Sequence, residues 1–151
     1  MSNFNADQLD AVLALAGLRH RPAVNQIELH PYCTSVDLCR RCADRGVVLT
    51  AYSCLGHGAG AAGLALLDHP VVAAIAARRG LTPAQVLVRF HVDRGVAAIF
   101  KSVTPARIAS NLDACDATCR LAADDVAALL ALDVGWRFCA AARVPSVCSN
   151  S

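Results

Sequence analysis

The chain has 151 residues, 56% of them hydrophobic and 17% charged, with a net charge of +2. Length and apolar content suit one domain with a sizeable core and exclude disorder. The basic residues are scattered, Arg40-Arg41 and Arg78-Arg79 being isolated pairs with acidic neighbours such as Asp44 and Asp93, which excludes a nucleic-acid-binding stripe.

In chain order, Asn5 is placed to cap a helix, with Gln8 at the capping-box position. Leu9, Val12, Leu13 and Ala16 follow at helical spacing, and Gly17 lies near the end. A short strand is expected over residues 23–29, closed by His30-Pro31-Tyr32. Residues 35–44 read as a helix that Gly46 stops, and residues 47–53 as a β-rich run. Four glycines without periodicity make residues 56–63 a loop. Helical patterns resume over residues 70–79 and again after Thr82-Pro83, a cap residue followed by proline at the first helical position. The continuous apolar run over residues 96–100 reads as a buried strand. Thr104-Pro105 repeats the cap-plus-proline start, and Asp124-Asp125 open a last helix with Val126, Leu129 and Leu130 on one face. Strands alternating with helices give an α/β chain with a parallel sheet. Three full strands and a stump at Ser2–Phe4 are few for such a sheet standing alone.

The eight cysteines raise disulfide and zinc readings. No basic leader precedes the first helix, and Cys39-x-x-Cys42 has no second pair at a matching distance. Buried free thiols in a reducing cytoplasm are expected, with no metal. No apolar stretch reaches the roughly 18 residues that a membrane span needs.

The most informative stretch is Lys101-Ser102-Val103-Thr104-Pro105-Ala106-Arg107. A strand ends, a lysine and hydroxyls follow, and a helix begins. Free N–H groups and the helix dipole make such a start attract anions, and Arg107 adds a planar fork suited to phosphate. Lys101 is the sole lysine beside thirteen arginines. An ordinary capped loop with a solvated lysine is the bland alternative. At the end of the preceding strand, Tyr52 offers a flat face to a ring such as a nicotinamide. In Asn25-Gln26-Ile27-Glu28 the polar groups need partners or a ligand. Gln26 suits a carboxamide, and Glu28, the only glutamate, is either a ligand group or a satisfied structural one.

Together these segments resemble the aldo-keto reductases. The blocks that carry the resemblance are Ser2-Asn3-Phe4, Asn25-Gln26-Ile27-Glu28-Leu29-His30-Pro31-Tyr32, Ala51-Tyr52-Ser53-Cys54-Leu55-Gly56 and Lys101 through Ile108, in matching order and spacing from Ser2 to about Phe138. The resemblance implies a partial (β/α)8 TIM barrel over residues 1–143, running from the end of the fifth strand through the eighth and the carboxyl-terminal helices, with a tail over 144–151. It implies NADP(H) as cofactor. By resemblance, Ser2, Asn3 and Gln26 hold the nicotinamide carboxamide and Tyr52 stacks on the ring. Ser53, Leu55 and the loop from Gly56 cover the pyrophosphate. Lys101, Ser102, Val103, Thr104 and Arg107 grip the adenosine end and its 2′-phosphate, with Asn111 near the adenine. Three departures stand out: Cys54 replaces the family's usual proline, an expected loosening of that loop; Ser110 replaces an acid; and the tail after Arg143 matches no substrate-binding loop.

In this family the proton donor is a tyrosine tuned by a lysine and an aspartate, with a histidine beside the carbonyl, all from the first four strands. No match to that set is expected in these residues. The five histidines, His20, His30, His57, His69 and His91, show no catalytic spacing, and Tyr52 paired with Lys101 is the one improvised acid the sequence offers. The resemblance therefore implies an NADPH-dependent reductase of aldehydes or ketones, inactive alone and acting on a small-molecule carbonyl substrate when completed by its other half. The alternative is a non-catalytic dinucleotide-binding or oligomerising half-barrel, homodimer included, or a truncated gene product in which Met1 is an internal methionine of a longer frame.

Overall fold

A computed structural model describes residues 1–139. Three strands, β1 (Val24–Glu28), β2 (Val48–Tyr52) and β3 (Ala97–Ala98), form a parallel sheet in that order. Val24 lies opposite Val48, and Thr50 opposite Ala97. Parallel neighbours need crossovers: α2 (Val36–Asp44) joins β1 to β2, and α3 (Pro70–Arg79) with α4 (Pro83–Asp93) joins β2 to β3. The Ser2 stump adds a parallel bridge to Gln26, so the order is stump, β1, β2, β3. Helices α1 (Ala6–Leu13), α5 (Pro105–Asp113) and α6 (Ala123–Leu130) complete the α-helices among the described residues.

Alternation along the strands divides the sheet into two faces. Ile27, Leu49 and Ala51 are buried and cluster with Leu9 of α1, Cys42 of α2 and Val96. Val24 and Val48, on the other face, stay exposed. A second cluster fills the space between α3, α4 and α6, built from Val72, Ile75, Val86, Leu87, Phe90 and Leu129, with Tyr32 against it. Each such side chain removed from water stabilises by about 1.5–3 kcal/mol, so these two clusters fix where the strand ends point.

The expected capping box forms at α1, Asn5 with Gln8, and the expected Thr82 cap at α4 proves to be a capping box as well, with Gln85. His69 caps α3, its Nδ1 accepting from the Val71 N–H at 3.2 Å, a cap the sequence reading missed. Two expectations are corrected. The run over 96–100 is not a buried strand: only Ala97–Ala98 pair, Ala97 and Ile99 are exposed, and β3 is an edge with one neighbour. Thr104 makes no side-chain cap at α5; its own N–H is turned back to the Ser102 hydroxyl at 3.2 Å.

Arg89 ties α4 to the end of α5. Almost buried, it pairs with Asp93 and donates to the carbonyls of Ala114, Cys115 and Asp116. Asp125 of α6 is buried and accepts from Arg78 and Arg79 at the end of α3. Cys33, Cys42 and Cys54 are buried free thiols, and Cys115 is exposed. Cys148 and the expected tail lie outside the described residues. No single helix among them is long and apolar enough to cross a membrane.

Candidate functional site

Where the sheet's strands end, β2 and β3 lead into loops that face the starts of α4 and α5 across a cleft of about 1080 Å³. Tyr52, Ser53 and Leu55 line it from the β2 side, and Lys101, Ser102, Arg107 and Asn111 from the β3–α5 side. Seven residues expected to bind a ligand therefore share one cavity. Ser2, Asn3 and Gln26 stand beside it, joined to it through Tyr52. Val103 and Thr104 are exposed and outside its lining.

Tyr52 closes the sheet end of the cleft. Its hydroxyl donates to Asn3 Oδ1 at 3.0 Å, which fixes the ring against the stump. Burial pushes its phenol above the ordinary value, with the Glu28 charge acting the same way. The stump itself is held to β1: Asn3 N–H donates to the Gln26 carbonyl at 2.8 Å and Ser2 Oγ at 3.0 Å. Asn25 completes this corner, its amide donating to the Phe4 carbonyl at 2.9 Å.

Among the described residues, two of the three non-glycine ones with positive φ sit here, Asn3 at 61° and Ser53 at 53°. Left-handed backbone at such residues costs about 1 kcal/mol or more and persists where surroundings enforce it. At Ser53 the turn takes the chain abruptly off β2 and into the cleft wall. The next residue is locked as well. Cys54 is buried, its thiol donates to the Ile99 carbonyl at 3.2 Å, and burial pushes that thiol up to about 11. The expected loosening at this position is corrected: the thiol ties the loop to the edge strand. Beyond it, a Cβ on Gly60 would lie 2.6 Å from the Tyr32 ring and 2.5 Å from the Leu64 carbonyl, so only glycine passes there.

At the opposite wall, Lys101 and Arg107 are exposed, and neither forms an ion pair among the described residues. The first turn of α5 carries no side-chain cap, so its amide donors and its dipole face the same cavity through Ala106. Asp68 is the carboxylate in the lining. Asn111 is buried there, and Gln85 donates to the Ser110 carbonyl at 2.8 Å, locking α4 to α5 beneath it. The residues that sequence reasoning missed are Phe100, Leu67 and the α4 start, Thr82 to Ala84. The Thr82-Pro83 cap signal placed a helix start but not its partner wall.

Glu28 is a structural group. It is fully buried and accepts from the Phe138 N–H at 2.5 Å, the Cys139 N–H at 3.2 Å and the His30 ring at 3.1 Å. Among the described residues no three His, Cys, Asp or Glu side chains gather in a metal-binding group.

One cleft is thus lined by an aromatic ring and by two cations that form no ion pair among the described residues. Over residues 1–134 the sequence matches the family model of the aldo/keto reductases. The chain belongs to the aldo/keto reductase family. Among curated relatives of this chain, aldo-keto reductase family 1 member A1-A of Danio rerio is 46% identical over 122 residues, 77% of this chain and 36% of that protein. The human aldo-keto reductase family 1 member A1 is 42% identical over 142 residues, 91% of this chain and 42% of that protein. An aldo-keto reductase of Mycolicibacterium vanbaalenii is 46% identical over 138 residues, 91% of this chain and 46% of that protein. The chain thus spans less than half the length of these relatives.

Proposed function

We propose that this chain is the NADP(H)-binding part of a reductase that converts aldehydes or ketones to alcohols. In this reading the stump and β1 to β3 correspond to the fifth through eighth strands of the family's (β/α)8 barrel, whose binding residues gather at strand carboxyl ends. The observation that carries it is the cleft itself, lined by Tyr52, which Asn3 fixes, and by Lys101 and Arg107, which form no ion pair among the described residues.

The residues fit the cofactor by their chemistry. Lys101 and Arg107 supply charge for a 2′-phosphate, the α5 start supplies amide donors, and Tyr52 supplies a ring face. Ser2, Asn3 and Gln26 lie beside that ring with carbonyl and amide groups suited to a carboxamide, and Ser53 and Leu55 cover the middle. The bound dinucleotide supplies the hydride. Carbonyl reduction also needs a proton donor. Tyr52 is a poor one here, because its proton is engaged by Asn3 and its phenol is pushed up. The acid therefore comes from outside these residues, either from further sequence of the same polypeptide or from another chain. Free thiols throughout the described residues support a reducing, cytoplasmic setting.

The test is a fluorescence titration with NADPH beside a carbonyl-reduction assay. Binding without turnover is expected for the 151-residue chain, with turnover appearing when the first four βα units of a relative are added. Turnover by the chain alone would overturn the assignment of the acid to outside residues. Absence of binding, with the fold intact by circular dichroism, would overturn the cofactor reading. A non-catalytic binding half-barrel is the second reading, favoured by the engaged Tyr52 proton, and it predicts binding with no activity in any mixture.

A further inference from the structure

The cleft holds one group that a site for a phosphate-rich ligand does not call for. Asp68 lines it together with Lys101 and Arg107, is exposed, and forms no ion pair among the described residues. A carboxylate repels a phosphate wherever the two approach. Ionised, it is also an acceptor only. In a cleft that takes a dinucleotide, Asp68 therefore has to face a part of the ligand that carries hydrogen-bond donors.

Its surroundings say which part. The 3-10 turn Leu66–Asp68 is anchored by Leu66, buried in the cluster with Val86 and Phe90 of α4. That turn packs on α3 and α4, and the Gln85 bond to the Ser110 carbonyl locks α4 to α5. Leu67, Asp68, the α4 start, Ser110 and Asn111 thus enter the lining from elements that this chain packs on one another, without help from either sheet edge. Leu67 is 40% exposed and, with Ala84, offers apolar surface beside the carboxylate. Asn111 is only 5% exposed, so its amide is held in place where it meets the cleft. Apolar walls with a few fixed polar groups suit a flat base with polar edges. Of the donors that NADP(H) carries, the carboxamide N–H groups belong beside Tyr52 in the proposed reading. The ribose hydroxyls sit next to phosphates, which a carboxylate repels. The exocyclic amino group of the adenine lies apart from both.

We infer that Asp68 is a specificity-determining residue of the cleft, its carboxylate accepting a hydrogen bond from the exocyclic amino group of the adenine while Leu67 lies against the base. The inference rests on the dinucleotide reading and adds to it a residue that selects the base. Hypoxanthine, the deaminated base, carries a carbonyl oxygen in place of the amino group, so that two acceptors face each other. A site built to pair a polar group strongly rejects an analogue that lacks it.

The test is a set of fluorescence titrations with NADPH and with reduced nicotinamide hypoxanthine dinucleotide phosphate, which share the same fluorescent nicotinamide. The unaltered chain is expected to bind NADPH about tenfold more tightly than the analogue. Asp68→Asn, an exposed position, is expected to leave the circular dichroism spectrum unchanged. Its amide can turn an N–H toward the hypoxanthine carbonyl, so the analogue gains affinity and the preference disappears or reverses. Equal affinities for the two dinucleotides in the unaltered chain would overturn the inference and leave the cofactor reading standing. A variant that weakens or strengthens both alike, with the preference kept, would also overturn it. A folded chain that binds neither dinucleotide would overturn the cofactor reading itself, and this inference with it.

Discussion

Glu28 shows how far one residue's role depends on distant partners. The chain's only glutamate sits at the end of β1, yet its carboxylate holds the backbone N–H groups of Phe138 and Cys139, some 110 residues away in sequence. Hydrogen bonds to a charged acceptor contribute about 1.5–3 kcal/mol each. Glu28→Gln is therefore expected to destabilise by about 2 kcal/mol, read as a lower melting temperature, and to speed hydrogen exchange at the Phe138 and Cys139 amides. Unchanged exchange there would contradict the clamp. From sequence alone Glu28 stood evenly between ligand and structural group, because nothing local identifies a partner so far along the chain. Lys101 and Arg107 were legible for the opposite reason: strand end, cap signal and cation lie within seven residues. If they grip a 2′-phosphate, Arg107→Ala should weaken NADPH by roughly tenfold, the worth of one charge-assisted bond, and leave NADH nearly unchanged in the same titration. An equal loss for both dinucleotides would place Arg107 elsewhere.

Among the elements, α4 carries a pH dependence that follows from packing. His91 is fully buried, and both ring nitrogens lack a hydrogen-bond partner. Burial, reinforced by the nearby Arg94 and His30, pushes its pKa from 6.5 down to about 3. His30, in contact with Glu28, is also lowered, by burial against the opposing pull of that carboxylate. The unfolded chain takes up a proton at His91 below pH 6.5 that the folded chain resists. Stability is thus full above that pH and falls below it by about 1.4 kcal/mol per unit. Unfolding free energies from urea titrations at pH 7 and pH 5 should differ by about 2 kcal/mol on account of His91, and His91→Leu should shrink the measured difference. An equally steep fall in the variant would assign the acid limb to other groups. Asp125 acts lower on the scale. Burial would raise its pKa, but the Arg78 and Arg79 bonds hold it below the usual carboxylate value. Its contribution is present above the unfolded carboxylate range and is lost as the pH falls through the folded pKa, so Asp125→Asn should lower stability at pH 7 and matter progressively less as the solution is acidified below the usual carboxylate value.

Elements with local signals were read well from sequence: α3 falls on residues 70–79 as expected, the Asn5–Gln8 capping box forms, and Thr82 caps α4. What failed was tertiary. An apolar run predicts a strand but not whether neighbours flank it on both sides, so 96–100 read as buried while β3 is a two-residue edge. Likewise Thr104 had the cap's residue type, but the turn at Ser102 took its N–H.

At the scale of the whole molecule, the family and the strand-end location of the site were written in linked blocks of sequence. The far wall of the cleft was not, because Thr82 to Ala84 reach it only after α3 and α4 pack on each other. That packing sets the fixed wall opposite Tyr52. Val86→Ala and Phe90→Ala, both in the shared core, are expected to cost about 1–4 kcal/mol and to weaken dinucleotide binding only in proportion to the folded fraction. The most direct measurement of the central claim is the ratio of NADPH to NADH affinity, by fluorescence titration, in the unaltered chain and in Lys101→Met. A cleft built for a 2′-phosphate predicts NADPH bound at least tenfold more tightly, with the ratio shrinking in the variant. Equal affinities in the unaltered chain would contradict it.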